Sequence, residues 1–206
     1  MLRTNLAFLS FIERFYAENN QEKNISLKSF PSGFRFIEQG EKIRNIYIIR
    51  EGITKCFISE ENGKDFIIEF LGKGEVVGEL EVLKNIDCLC NIETLSEVTA
   101  YSIPGHFFLK LIRENIEFTE ILLQELSTRI IQTSRRASFQ QLYTLEYGLI
   151  KLLKLQAEEN INVSKEDMAA YLGISVRSFN RTILQLKTKN AINGDESLKM
   201  LLEQLA

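Results

Sequence analysis

Between Ile25 and Ile103 apolar and polar positions alternate with a period of two, in the short runs ISLKSF, FRFIEQG, NIYIIREG, ITKCFIS, KDFIIEFLGKG and SEVTAYSI. Runs of this kind predict brief strands with one face turned inward. Gly33, Gly40, Gly52, Gly63, Gly72, Gly74 and Gly78 punctuate them, and Asn62-Gly63 is a strong hairpin signal. No long helical pattern separates the runs, so they predict a closed or double-sheeted antiparallel fold rather than a βαβ sheet. Outside this stretch the period lengthens to that of a helix. Residues 2–18 predict one or two short helices with Leu2, Leu6, Leu9, Ile12 and Phe15 as the apolar stripe. After Pro104-Gly105 come HFFLKLIREN, a long helix from Ile116 to Leu142, and a further helix over Tyr143–Gln156 with Leu145, Leu149, Leu152 and Leu153 on its packed side.

One interval interrupts the strand rhythm. In residues 72–91, glycines surround Glu75 and a single helical turn is expected over Leu80–Lys84. Backbone N–H groups at the start of such a turn make an anion nest, with Glu79 free to accept from hydroxyls. The plainer alternative is that Gly72, Gly74 and Gly78 only shape a tight loop.

The long helix spans about 40 Å at 1.5 Å per residue. Phe118, Ile121, Leu122, Leu126, Ile130 and Thr133 recur on it three or four apart. A second copy of the same helix would cover such a length and give a twofold dimer; the alternative is that the stripe packs only on its own barrel. The predicted organisation is a β-rich module over 1–115, the long helix over 116–142 and a helical module over 143–206. A continuous helix, not a flexible tether, joins them.

The most informative stretch is Ser164–Lys189, SKEDMAAYLGISVRSFNRTILQLKTK. Ser164 followed by Asp167 predicts a capped helix from Lys165, Gly173 ends it, and Ser175 caps a second helix. Phe179, Ile183 and Leu186 form the inner face of that second helix, and the small Ala169 allows a close crossing. Val176, Arg177, Asn180 and Arg181 are left on the outer face or its margins. Arg and Asn near the start of an exposed helix suit the base edges of a major groove, whereas Lys165 and Lys187 suit phosphates. By spacing alone, a plain helical hairpin with solvated arginines fits as well.

Charge distinguishes the two halves. The chain of 206 residues carries a net charge of -3. Residues 1–128 hold 14 basic against 20 acidic side chains, while residues 129–190 hold 10 against 5. An acidic module joined to a basic one leaves the basic one to meet a polyanion. Cys56, Cys88 and Cys90 are three in number and lack CxxC spacing; Cys88 and Cys90 could share one face at a strand start, and all three read as buried or partly buried free thiols. His106 is the sole histidine, so neither a common zinc site nor a credible catalytic base is formed, and the chain does not read as an enzyme. The apolar amino-terminal run is broken by Ser10, Glu13 and Arg14, and no stretch reaches 18 apolar residues. These features predict a cytoplasmic protein without a membrane span.

In order and spacing these pieces resemble the Crp/Fnr family of bacterial transcription regulators. The likeness rests on the glycine spacing at Gly33 and Gly40, IYIIREG at Ile46–Gly52, GEVVGEL at Gly74–Leu80, the long helix, and LGISVRSFNR at Leu172–Arg181. It implies an α+β chain: an N-terminal antiparallel β-roll, jelly-roll-like and of the cyclic-nucleotide-binding type, then a dimerisation helix and a winged-helix-like helix-turn-helix domain. It implies a homodimer on a pseudo-palindromic operator in double-stranded DNA, in contact with RNA polymerase. Ser175 and Arg181 match the family's DNA-facing positions, while Val176 and Arg177 depart from its commonest residues.

In cyclic-nucleotide-binding members the cassette glycine and glutamate correspond to Gly78 and Glu79, and the base-contacting pair to Thr133 and Ser134. Lys84 and Arg129 complete the expected effector set. The arginine that grips the cyclic phosphate has no counterpart in Asp87-Cys88-Leu89-Cys90-Asn91. The resemblance therefore argues against cyclic AMP in the usual manner, assigns no certain cofactor and leaves the effector unnamed. The amino-terminal cysteine cluster of the iron–sulfur branch is missing from residues 1–30. After Ile192 an abbreviated wing and a terminal helix are expected. The alternative function is a ligand-sensing or protein-interaction module that keeps the fold without binding DNA.

Overall fold

The computed structural model describes residues 2–18, 24–159 and 163–188. In chain order its elements are β1 (Leu2–Arg3), α1 (Leu6–Glu18), β2 (Ser26–Phe30), β3 (Arg35–Ile37), β4 (Asn45–Glu51), β5 (Thr54–Ser59), β6 (Asp65–Leu71), β7 (Val76–Val77), α2 (Glu79–Lys84), β8 (Asn91–Thr94), β9 (Val98–Pro104), α3 (Gly105–Glu114), α4 (Ile116–Leu142), α5 (Leu145–Glu159), α6 (Lys165–Leu172) and α7 (Val176–Thr188). The chain divides into two compact units, one of residues 2–59 and 68–132, the other of Glu60–Ile67 and the residues from Thr133 onward.

The strands form two sheets, β1-β6-β5-β8-β3 and β2-β9-β4-β7. Most pairings whose direction is resolved are antiparallel, as the alternation predicts. The exception is β1, which lies parallel to β6 with Leu2 opposite Phe70 and Arg3 opposite Leu71. Strand β4 is apolar on both faces because each face meets its own core. Ile46 and Ile48 enter a cluster with Val76, Tyr101 and Ile103, whereas Ile49 enters another with Ile37, Cys56, Leu71, Val77, Cys88, Ile92 and Val98.

Helix α1 departs from its expected stripe. Leu2 belongs to a strand and Leu6 is 63% exposed, while Phe8, Phe11 and Ile12 are buried. The parallel β1–β6 pairing removes Leu2 from the helix, and the buried face follows the phenylalanines. These meet Phe108 of α3 and Phe118 of α4. The Phe118 ring lies 5.4 Å from Phe8, 5.5 Å from Phe11 and 5.5 Å from Phe108, centroid to centroid. Aromatic contact at these distances adds about 0.5–1.5 kcal/mol per pair to the burial itself.

On α4 the predicted stripe splits. Phe118 and Leu122 are buried and Ile121 and Leu126 partly so, but Ile130 is 68% exposed and Thr133 is exposed. Three large aliphatic side chains, Ile116, Leu123 and Ile130, recur every seven residues along the exposed side. Glu125, unremarked in the sequence pattern, is buried instead.

The second unit contains the Asn62-Gly63 turn, where Gly63 N–H donates to Glu60 O at 2.9 Å, and helices α5 to α7. Its core is Leu149, Leu152, Leu153, Val163, Met168, Ala169, Phe179, Ile183 and Leu186. Arg136 of α4 lies between two rings, 5.0 Å from the Phe66 centroid and 3.9 Å from that of Tyr171, and donates to Ile67 O and Tyr171 O. The wing and terminal helix expected after Ile192 lie outside the described residues.

Replacing Phe118 by Ala should destabilise the first unit by about 3–5 kcal/mol, since the cavity opens where α1, α3 and α4 converge. Phe118→Leu should cost clearly less. Urea unfolding of the three proteins measures both.

Candidate effector cradle and helix-turn-helix

The cradle begins where β7 ends. Gly78 turns the chain with φ 88°, and a Cβ there would meet the Ile43 side chain at 2.3 Å, so glycine answers both the backbone and the packing. Helix α2 follows at Glu79, one residue earlier than the sequence suggests, and is six residues long. Glu79 and Glu81 are buried on it. Glu81 accepts from Leu89 N–H at 3.1 Å, which pins the segment leading to β8.

Arg129 of α4 organises the interior. Its guanidinium donates to Glu79 Oε1, to Glu75 Oε2 at 3.0 Å, to Val76 O at 2.6 Å and to Glu125 Oε1 at 2.9 Å. Arg3 pairs with Glu125 and lies 3.4 Å from Glu75, and Asn5 Nδ2 donates to Glu125 Oε2 at 2.7 Å. Three carboxylates and two guanidiniums are thus gathered in the interior. All are nearly inaccessible except Arg129, whose side chain is 19% exposed.

This composition perturbs the titration of the groups. Burial pushes the Glu75 carboxyl from 4.5 up to about 7; Arg129 and Arg3 pull it down and Glu125 pushes it further up. Burial likewise raises Glu79, against the pull of Arg129. For Arg129 burial acts downward, but Glu79, Glu75 and Glu125 outweigh it and hold the guanidinium charged.

The structure brings together Gly78, Glu79 and Arg129 of the expected effector set. Lys84 is exposed at the far end of α2, and Thr133 and Ser134 are exposed on α4, beginning one turn beyond Arg129. Glu75, Glu125 and Arg3 were not foreseen. A signal for Glu125 was present, since it falls between Leu122 and Arg129 on the apolar side of a helix, where a carboxylate needs a partner. A cleft of about 300 Å³ is lined by apolar Phe36, Ile37, Ile43, Tyr47 and Cys88 together with polar Glu38, Glu41, Lys42, Arg44 and Asn45.

Cys88 and Cys90 do not open a strand as expected. Strand β8 starts only at Asn91, and Cys90 lies in the bend before it.

In the second unit α6 starts at Lys165 as predicted. Ser164 Oγ accepts from Asp167 N–H at 3.0 Å, and Gly173, with φ 70°, ends the helix. Ser175 Oγ accepts from Ser178 N–H at 3.2 Å and caps α7. Phe179, Thr182, Ile183 and Leu186 are buried against α5 and α6, with Ala169 at the crossing. Ser175, Arg177, Asn180 and Arg181 are exposed; Val176, Lys165 and Lys187 are half-buried. Leu184, 63% exposed, shares the arginine face one turn beyond Arg181 and escaped the sequence reading.

A two-sheet roll with a glycine–glutamate cradle, a 27-residue helix and a helix-turn-helix define the class. Residues 27–115 match the cyclic nucleotide-binding domain. The chain is 23% identical over 181 residues to the cAMP-activated global transcriptional regulator CRP of Salmonella typhimurium, covering 82% of this chain and 85% of that one. It is 22% identical over 173 residues to the CRP-like cAMP-activated regulator of Mycobacterium tuberculosis, covering 78% and 77%. In fold it is similar to the c-di-GMP-responsive global regulator CLP of Xanthomonas campestris, with a TM-score of 0.77, 18% identity and coverage of 88% and 92%. A CRP/FNR-family transcriptional regulator from Thermus thermophilus gives 0.69, 18% identity, and coverage of 86% and 98%. In sequence and in fold the chain is similar to Crp/Fnr-family transcription regulators over most of its length, and residues 27–115 carry the cyclic nucleotide-binding domain.

A carboxyl raised in the folded state binds its proton more tightly folded than unfolded. Its contribution therefore favours folding at low pH and is lost as pH rises from about 4.5 through about 7. Stability should fall across this window, and Glu75→Gln should remove a component of up to about 3 kcal/mol from that fall. Urea midpoints of both proteins at pH values inside and above the window measure the difference.

Proposed function

We propose that the chain is a homodimeric, sequence-specific DNA-binding transcription regulator whose β-roll responds to an effector other than cyclic AMP or works without one. The observation that carries this reading is α7, whose Phe179 face is buried while Arg177, Asn180 and Arg181 stand exposed near its capped start. Bidentate donation from Arg177 and Arg181 to guanine, and pairing of Asn180 with adenine, are the contacts this face can make in a major groove. Ser175 and Val176 lie at the entry of the helix, and Lys165 and Lys187 serve the phosphate backbone. The line of Ile116, Leu123 and Ile130 supports pairing of α4 with its copy, because a heptad spacing keeps one seam facing a partner helix. By family likeness the further partner is RNA polymerase. Among the described residues no helix is long and apolar enough to cross a membrane.

The curated relatives are cAMP-activated, but this chain carries Cys88, Leu89 and Cys90 where the family's phosphate-binding arginine is expected. A charge-assisted bond of that kind is worth about 1.5–3 kcal/mol. Asp87 is engaged with Lys42 at 2.5 Å, and Lys84 is the remaining nearby cation of the predicted set. Gly78, Glu79, Arg129, Thr133 and Ser134 are the residues we assign to the effector site.

Selection from random duplexes should enrich a site with twofold symmetry and half-sites about 34 Å apart. Arg181→Ala should then lose about 1–3 kcal/mol of discrimination against a mismatched duplex at fixed salt, whereas unchanged discrimination would remove α7 from the interface. Ile130→Glu should convert the dimer to a monomer in sedimentation analysis while leaving the helical circular dichroism of each chain largely intact.

A further inference from the structure

The Cys56 and Cys90 sulfurs lie 3.0 Å apart, inside the contact distance of unbonded sulfurs. Cys56 is buried on β5, and Cys90 is half-buried in the bend one residue before β8. Strands β5 and β8 pair with Cys56 opposite Ile92 and Phe57 opposite Asn91, so the partner ladder ends just short of Cys90. Its backbone is therefore outside the strand pairing that holds Cys56. Closing the sulfurs to a bond of about 2.05 Å needs a shift of about 1 Å, which such a bend can absorb. The third thiol, Cys88, sits in the apolar cluster with Ile37, Ile49 and Val77. Among the described residues no group of three or more His, Cys, Asp and Glu side chains could hold a metal ion.

We propose that Cys56 and Cys90 are a redox modification site, closed to an intramolecular disulfide by hydroperoxide and reopened by a thiol. The half-buried Cys90 meets the oxidant. Cys90 gives up its proton, its thiolate attacks one peroxide oxygen, the O–O bond breaks, and the departing hydroxide takes up that proton as the first water, so that Cys90 carries a sulfenic acid. The Cys56 sulfur then attacks the Cys90 sulfur, the S–S bond forms, the S–O bond breaks, and the departing hydroxide takes the Cys56 proton as water. Two thiols are oxidised by two electrons and one hydrogen peroxide is reduced to two waters. The order of events matches the environment: Cys56 hydrogen-bonds to Cys90 and is buried, and both effects push its thiol well above 9, so it waits in the protonated form. Burial also pushes Cys88 up, to about 11, and keeps it out of the exchange. Arg129, which lowers the Cys56 thiol, and Glu79, which raises it, both act electrostatically on Cys56, linking it to the charges of the cradle.

The test uses the full-length reduced protein with hydrogen peroxide as the probe, followed by maleimide labelling in denaturant and mass spectrometry. The reduced chain should take three labels. The treated chain should take one, lose two hydrogen masses, show a Cys56–Cys90 linked peptide within a single chain, and recover three labels with dithiothreitol. Cys88→Ser should still lose two labels, and Cys90→Ser should form no internal bridge. Three labels retained after peroxide, a bridge through Cys88, or a bridge between chains would overturn the assignment, and the wild-type peptide map decides this even where a variant folds poorly. A second arm rests on the proposed DNA binding. Operator affinities of bridged and reduced protein that differ threefold or more, with no peroxide effect in Cys90→Ser, support a regulatory role for the bridge. Equal affinities with a mapped bridge refute that role and leave DNA binding itself standing.

Discussion

Taking a guanidinium out of water is tolerated only when opposite charge and hydrogen-bond acceptors replace the lost hydration. Arg129 meets that condition with Glu75, Glu79, Glu125 and the Val76 carbonyl, contributed by α4 itself, the β7 region and the start of α2. Arg3 and Asn5 extend the constraint to the amino terminus, which explains why β1 is held parallel to β6 although it is only two residues long. The cradle, the first strand and the long helix share one electrostatic node. A conformational change at the cradle must either preserve these contacts or supply substitutes for them.

The strands that alternate cleanly were legible in the sequence, because a period of two with glycine punctuation has few competing explanations. The capped start of α6 at Lys165 and the inward face of α7 were legible for the same reason, as side-chain caps and a glycine stop are local chemistry. What escaped was non-local. Strands β7 and β8 are two and four residues long and are defined by their partners, not by their own pattern. Glu125 became meaningful only when Arg3, from the other end of the chain, came to meet it. Ile130 and Leu122 both fit one helical stripe on paper, yet Leu122 is buried and Ile130 is 68% exposed, so the apolar residues of the 27-residue helix divide between a covered side and an open one.

The same distinction separates the two halves of the functional reading. Arg177, Asn180 and Arg181 are recognisable because an exposed cationic helix face near a capped start has a definite chemical use. The proposed effector set is less regular: Gly78, Glu79 and Arg129 lie together, and the partner of Glu79 is a side chain of the protein itself. The sulfur atoms of Cys56 and Cys90 meet only because a bend precedes β8, a feature with no sequence signature.

The uncovered aliphatic line on α4 has a consequence beyond geometry. For a chain that hides Ile116, Leu123 and Ile130 against a second copy, the folded state and the assembled state are linked by mass action. Each increase in cellular abundance then raises the assembled fraction and the resistance to unfolding together. The quantity of protein synthesised becomes an input to the regulator in its own right, read alongside whatever chemical cue reaches the sheets.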